Sequence, residues 1–528
     1  MALISIIEDF HPMNNAKLLD IAEQLTPTLH HEIHEPVGGF TLKERYSSEA
    51  EEIVLHKVHH IAMGKGENLC LDFGNHMVGY LTLDFSYTGS HPDAPAYLKL
   101  KFAETYEEVC ENSDVYNGWV SRSWIQEEYV HVDVLPARIR IPRRHAFRYL
   151  KITTMDTSVK YKLVVRHAEC LTETSADYKR LAAADIADPF LKRMDEISIR
   201  TLANCMQEVF EDGPKRDRRL WMGDLRLEAL ANYCTFRNYN LVRRCLYLFG
   251  GTRFPDGRVS ANVFIKPKAE ADDTWLYDYS LMFVVALEEY MQQTDDIDTL
   301  NDLYDIAMQQ IEMSLRLIDR EGRMSEEDAA NVFLDWSEGM DKRSGGVAVL
   351  IYAMRYARRL ARRKNDWSQA QWLMEKLDWL KACARKNYYD EERKCFVSGG
   401  QASLITQVWN VLADVLYPEE AKDLMERSEE FMDCFPMKTP YMHHYYIAAL
   451  LRAGLREKAL LHMRDYWGSM MEAGADTFWE AWDPANPKGS PYGEGGVVIN
   501  SYCHAWSCTP TYFIRSWFMR EKHTDDHL

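Results

Sequence analysis

The sequence predicts a two-part protein, an N-terminal β-sandwich over residues 1–177 followed by an (α/α)6 toroid over residues 178–528. Three observations predict it. The chain has 528 residues, too many for one ordinary core. Its apolar pattern changes from a strand period to a helix period near Tyr178. The later half then repeats helix, loop, helix without a strict sequence repeat, and its loops carry Gly, Pro and acid-aromatic clusters. A globin-like or bundle array is the alternative for that half.

The strand segments come first. Asn68-Leu-Cys-Leu-Asp-Phe-Gly, Val78-Gly-Tyr-Leu-Thr-Leu-Asp-Phe, Ala96-Tyr-Leu-Lys-Leu-Lys-Phe, Phe147-Arg-Tyr-Leu-Lys-Ile and Tyr161-Lys-Leu-Val-Val alternate or are rich in branched and aromatic residues. Gly, Asn, Asp and Pro bound them, as turns require. Several short strands with turn signals point to a sandwich. The stretch Thr172 to Arg180 has few large apolar residues and reads as a linker. Helical periodicity then runs over Pro189–Val209, Leu225–Leu248, Tyr279–Gln293, Thr299–Arg320, Val347–Arg362, Gln369–Asn387, Leu404–Leu416, His443–Leu451 and Arg456–Glu472.

Composition narrows the function. A formal net charge of −19 disfavours nucleic acid and anionic membrane surfaces as partners. No stretch approaches the roughly 18 apolar residues of a membrane span. The N-terminal apolar run is broken by Glu8 and Asp9 and has no basic flank, so it does not read as a signal peptide. The eleven cysteines form no CxxC pair and are odd in number. Free thiols, a cytoplasmic location and no metal or other cofactor are therefore expected.

Two segments carry the chemistry. Glu211-Asp-Gly-Pro-Lys-Arg-Asp217-Arg-Arg-Leu-Trp221-Met-Gly-Asp224 and Thr477-Phe-Trp479-Glu480-Ala-Trp482-Asp483 both set carboxylates beside tryptophans. Glycoside hydrolysis uses a pair of carboxyl groups across the scissile bond. Tryptophan faces hold sugar rings. The plain alternatives are a charged loop with Asp224 capping a helix, and a buried aromatic stretch with a surface Glu480. Asp272-Asp-Thr-Trp275-Leu-Tyr-Asp278, Phe333-Leu-Asp335-Trp336 and Asn500-Ser-Tyr-Cys-His504-Ala-Trp506 are further acid-aromatic groups beside helices, where a toroid would gather its loops at one end.

The first segment resembles the D-C-P-x-R-D-E-R-x-x-W-x-G-D signature of bacterial α-L-rhamnosidases, glycoside hydrolase family 78. Trp275 to Asp278 is similar to that family's W-x-D segment and Phe333 to Trp336 to its G-D-W. Trp479-Glu-Ala-Trp482-Asp resembles its W-E-R-W-D, and His504 its S-x-N-H histidine. Leu71-Asp-Phe-Gly-Asn-His-Met-Val-Gly79-Tyr resembles a strand of its β-sandwich. The resemblance spans about residues 68 to 510. It implies an (α/α)6 catalytic domain after a sandwich and inverting, exo-acting hydrolysis of terminal α-L-rhamnosides.

Under that resemblance Glu480 is the general base. Asp212, Arg216, Trp221, Trp275, Asp278, Trp336, Trp479, Trp482 and His504 would bind the sugar. The family's acid position is occupied here by Arg218, which stays protonated at any working pH and cannot serve. A neighbouring carboxyl is then required, Asp217 first and Asp224 second. Flanking arginines would lower a carboxyl's pKa, whereas an acid needs it raised, unless burial or another carboxylate counters them. The expected partners are small rhamnose-containing glycosides; a homodimer is a further expectation, although no residue pattern fixes the oligomeric state. A hydrolase for another glycoside or uronide, or a sugar-binding relative that has lost its acid, are the alternatives.

Overall fold

The computed structural model describes residues 10–519 apart from 45, 54 and 488. A sheet-rich part precedes a helical part, in the order expected. The sheet has ten strands, and all its recorded pairings are antiparallel. Its main path runs His30–His34, Tyr161–Thr174, Asn68–Gly89, His145–Asp156, Ala96–Ala103 and Glu127–Val132.

Asn68–Gly89 is the spine of this sheet. Its first half pairs with His145–Thr153 and its second half with Tyr161–Thr172, the exchange falling at Gly79. The sequence shows two strand segments here, at 68 and 78, which the structure joins into one. Alternate residues such as Leu69, Leu71 and Phe73, then Leu81, Leu83 and Phe85, enter one apolar cluster with Leu98, Leu100, Phe102 and Phe147. The period of two along the strand puts them on a common face.

The helices of the second half follow the predicted segments with shifted ends. Arg456–Glu472 is unchanged, and Tyr277–Thr294, Arg343–Arg363 and Trp367–Tyr388 are longer by a few residues at their N-terminal ends. Leu225–Leu248 is corrected. It is two helices, Met222–Cys234 and Tyr239–Gly251. Arg237 takes φ 54°, and the Asn238 side chain caps Leu241 N–H at 3.2 Å. The apolar pattern runs through this break, so periodicity alone does not reveal it. Met222–Cys234 packs on Tyr277–Thr294, which packs in turn on Arg343–Arg363.

A short helix, Ala16–Gln24, is absent from the sequence-based expectation. It lies against Tyr239–Gly251, with Leu18 and Ala22 buried in the helical core. Asn15 N–H donates to the Gly251 carbonyl at 2.8 Å. This early segment therefore packs with the helices that come after the sheet. Among the described residues no helix is long and apolar enough to cross a membrane.

Candidate active site

The loop from Met206 to Arg219 joins the helix Pro189–Cys205 to the short strand Leu220–Trp221 that leads into Met222–Cys234. Asp212 organises it. One carboxylate oxygen accepts the Asp217 N–H at 3.0 Å and the other the Arg219 N–H at 3.0 Å. Its carbonyl accepts the Ala505 N–H at 2.7 Å. Gly213 is needed for close approach, since a Cβ there would stand 2.5 Å from the Arg216 carbonyl oxygen and 2.8 Å from Ser501 Oγ. Burial, then the charges of Asp217 and Asp224, push the Asp212 carboxyl up to about 8, against the opposing pull of His504.

Asp224 lies in the first turn of its helix and is buried, 3.3 Å from His504 Nε2. Burial raises its pKa, His504 pulls it back, and Glu480 adds to the rise. For His504, burial works against the charge, but Glu480, Asp224 and Asp212 outweigh it and lift the ring to about 8. Asp217 is the accessible member of the loop: its side chain is 25% exposed, against 3% for that of Asp224.

Glu480 sits in an irregular segment fixed through its backbone. Its N–H donates to the Ser501 carbonyl at 3.0 Å, and its own carbonyl accepts Trp506 Nε1–H at 2.9 Å. At the side chain, Tyr492 OH donates to one oxygen at 2.5 Å and Arg216 to the other at 2.5 Å. Arg216 is itself buried, donates to the Ile499 carbonyl at 2.8 Å and stacks 4.2 Å from the Tyr492 ring centre. Burial opposes its charge, but the Glu480 carboxylate beside it raises its pKa. Such charge-assisted bonds fix geometry more firmly than neutral ones.

Asp212, Arg216, Asp217, Asp224, Glu480 and His504 thus come together from segments far apart in the chain. Trp336, Trp479 and Trp482 line a neighbouring cleft of about 1330 Å³. The carboxylates of the cluster are not among its lining residues, although Glu480 lies between the lining residues Trp479 and Ala481. Tyr492 joins the two regions, since it lines the cleft and donates to Glu480. Trp479 meets Trp482 edge-on at 4.8 Å, and Trp336 meets Tyr492 at 5.9 Å.

Three other expected sugar ligands are placed differently. Asp278 is buried and spends both oxygens on the Phe333 and Leu334 N–H groups, at 2.9 and 3.0 Å. It holds the loop that carries Asp335 and Trp336. Trp275 donates to Ser280 Oγ at 2.7 Å and lies under Arg258. Trp221 packs edge-on against Tyr279 at 6.3 Å. None of the three lines the cleft.

Arg218 has φ 64°, and its guanidinium donates to the Lys215 and Arg144 carbonyls at 3.3 and 3.0 Å. Burial, with Arg144 nearby, lowers it to about 10, so it remains a cation at neutral pH. The side chain at the family's acid position is therefore spent on backbone carbonyls of its own loop and of Arg144, just before the strand His145–Asp156.

Residues missed in the sequence complete the site. Lys215 is fully buried; it donates to Glu108 at 2.7 Å and to the Asn500 carbonyl at 2.9 Å, with Glu104 at 3.5 Å. Glu104 also accepts the Tyr502 N–H at 2.8 Å and pairs with His76 at 2.9 Å. Burial opposes protonation of His76, but Cys503 and Glu104 raise it to about 9. Acids of the sheet-rich part thus hold Lys215 in the first segment and Tyr502 beside His504. Glu104 and Glu108 lie at a strand end and on a short helix, with no local pattern to distinguish them from surface acids. Tyr492, in Ser490-Pro-Tyr-Gly-Glu-Gly, reads only as part of a turn.

The chain matches two family models. Residues 44–172 match the glycosyl hydrolase family 78 alpha-rhamnosidase N-terminal domain. Residues 180–518 match the bacterial alpha-L-rhamnosidase 6 hairpin glycosidase domain. Among solved structures, a rhamnosidase from Klebsiella oxytoca with rhamnose bound is 44% identical, with TM-score 0.92, over 96% of this chain and 99% of its own. The family 78 rhamnosidase of Bacillus sp. GL1 shares the fold at 21% identity and TM-score 0.72, over 88% of this chain and 49% of its own. No curated protein sequence matches the chain.

Proposed function

The chain belongs to glycoside hydrolase family 78 and is a glycoside hydrolase, and on that premise we propose that it is an exo-acting, inverting α-L-rhamnosidase. The observation that carries this reading is the two-sided grip on Glu480 by Arg216 and Tyr492, next to a loop that holds a proton. Glu480 is the general base. As a carboxylate with both oxygens positioned, it draws a proton from water attacking the anomeric carbon.

The proton for the leaving oxygen comes from the Asp212–Asp224 loop. Asp212 keeps its proton to about pH 8 because burial and neighbouring carboxylates disfavour charge there. Asp217, held to Asp212 through its backbone N–H and with a side chain 25% exposed, is the general acid that protonates the leaving oxygen. His504, cationic to about pH 8, balances the negative charge gathered around it. Inversion needs room for a water between base and acid, roughly 6.5–9.5 Å between carboxyls.

The helical half is read as an (α/α)6 toroid, the sheet as the preceding sandwich, and the boundary as near residue 177. The substrates are small rhamnosides met in the cytoplasm. Following hydrolysis of an aryl α-L-rhamnoside by proton NMR tests both activity and stereochemistry. β-L-rhamnose should appear first and then mutarotate. Release of α-L-rhamnose first sinks the inverting mechanism, and no release of rhamnose sinks the activity.

A further inference from the structure

The sheet-rich part reaches into the cleft with one ring. Trp119 lies between the short helical turns Ser113–Val115 and Arg122–Trp124, is 53% exposed, and lines the cleft. A lone exposed tryptophan is ordinary on a protein surface, so what matters here is its place on the cleft wall. Its ring centre is 5.5 Å from that of Tyr492, at an interplanar angle of 51°. Tyr492 in turn reaches Glu480 with its hydroxyl. Trp119 therefore stands one tyrosine away from the proposed base, on the cleft side.

The loop that carries the ring is held, not loose. Gly118 is pressed so close to the 492 segment that a Cβ would stand 1.8 Å from the Tyr492 carbonyl oxygen. Asn117 N–H donates to the Glu494 carbonyl at 3.4 Å. Arg122 gathers the Ser113 and Tyr116 carbonyls at 3.2 and 3.1 Å, and Tyr116 OH closes the loop onto the Val120 carbonyl at 2.9 Å. Tyr116 and Ile125 are buried with Tyr492, Val498 and Ile499 in a small apolar cluster across the two parts. A loop braced this way presents its ring from a fixed backbone, and little loop freedom is lost when a ligand binds, which favours binding.

We propose that Trp119 is a specificity-determining residue that stacks on the leaving-group ring of the substrate, the flat face of an aryl group or a pyranose next to the scissile oxygen. This rests on the rhamnosidase reading. The cleft beyond Tyr492 holds the aglycone, and Trp119 with Trp336 forms its aromatic wall. A substrate whose leaving group is a small alkyl cannot use that wall.

The test compares Trp119→Ala and Trp119→Phe with the unaltered chain on three α-L-rhamnosides: p-nitrophenyl, a rhamnosyl-glucose disaccharide, and methyl. In Trp119→Ala the preference for the ring substrates over the methyl glycoside, as a ratio of kcat/KM, should fall about 5- to 10-fold, the worth of one aromatic contact. The loss should sit in KM, and Trp119→Phe should recover part of it. A fall confined to the p-nitrophenyl compound assigns the wall to aryl groups, and a fall confined to the disaccharide assigns it to sugars. Equal effects on all three substrates, or none, overturn the proposal while leaving the rhamnosidase reading intact. If the unaltered chain cleaves none of them, that reading fails and the subsite fails with it.

Discussion

Glu480 is held by unlike donors, a cation on one oxygen and a phenol on the other. Each can be removed singly. Glu480→Gln should lower kcat about a thousand-fold, at the middle of what a general base contributes. Asp217→Asn should cost about a hundred-fold or more if it delivers the proton. Steady-state rates on an aryl rhamnoside read both. Should Asp217→Asn keep full activity while Asp224→Asn abolishes it, the acid has been assigned to the wrong residue. The pH profile adds a check: Asp212 sheds its proton near 8, so kcat/KM should decline above about pH 8. The contrast at this scale between Glu480 and Arg218 was legible in the sequence, because both lie within motifs. The partner Tyr492 was not, because a tyrosine in a Gly-Pro turn has no local signature, and its role comes from where the chain returns in space.

Elements carry the placement. The sequence located most helices because an amphipathic stripe persists along each of them. It ran two helices together at 235–238, since the residues on both sides of the break are apolar at helical spacing and the stop is made by a positive φ at Arg237 and the Asn238 cap. Asn238→Ala should therefore destabilise the chain by about 1 kcal/mol, as loss of a cap does, measured by urea unfolding. An unchanged midpoint would mean the turn is set by tertiary packing alone. Asp278 illustrates a different limit. An acid before a helix beside Trp275 reads as a sugar ligand, yet its oxygens hold the Phe333–Leu334 backbone. Sequence shows residue type and neighbours, and it cannot show which amide lies across the loop.

The molecule as a whole gathers buried ionisable groups, and these set how its stability depends on pH. Burial raises Asp212 to about 8, Glu288 to about 7 and Asp335 to about 6. Each is protonated more readily in the fold than when unfolded. Its contribution is complete below the unfolded pKa and is lost as pH rises through the folded value. His504 and His76, raised to about 8 and 9, behave with the same sign over a higher window. Burial lowers His145 and His462 to about 4, so their contribution is lost instead as pH falls below the unfolded value. The melting temperature should thus fall between about pH 6 and pH 9, and Asp212→Asn should flatten that fall. Calorimetry at fixed ionic strength decides it; a slope unchanged in Asp212→Asn would remove Asp212 from the account. The broad order of sheet then helices was readable from periodicity. The grip between them was not, because it depends on acids meeting Lys215 from over a hundred positions away.

That grip limits how the two halves can be inherited. Lys215 belongs to the helical half and its carboxylates Glu104 and Glu108 to the sheet-rich part, all three shut away from water. A buried charge stripped of its partner is strongly destabilising, by about 3–5 kcal/mol. A hybrid that joined this helical half to a foreign sheet would strand the lysine unless the donor carried matching acids at matching depth. The two parts are therefore poor interchangeable modules, and drift in either one is constrained by the other.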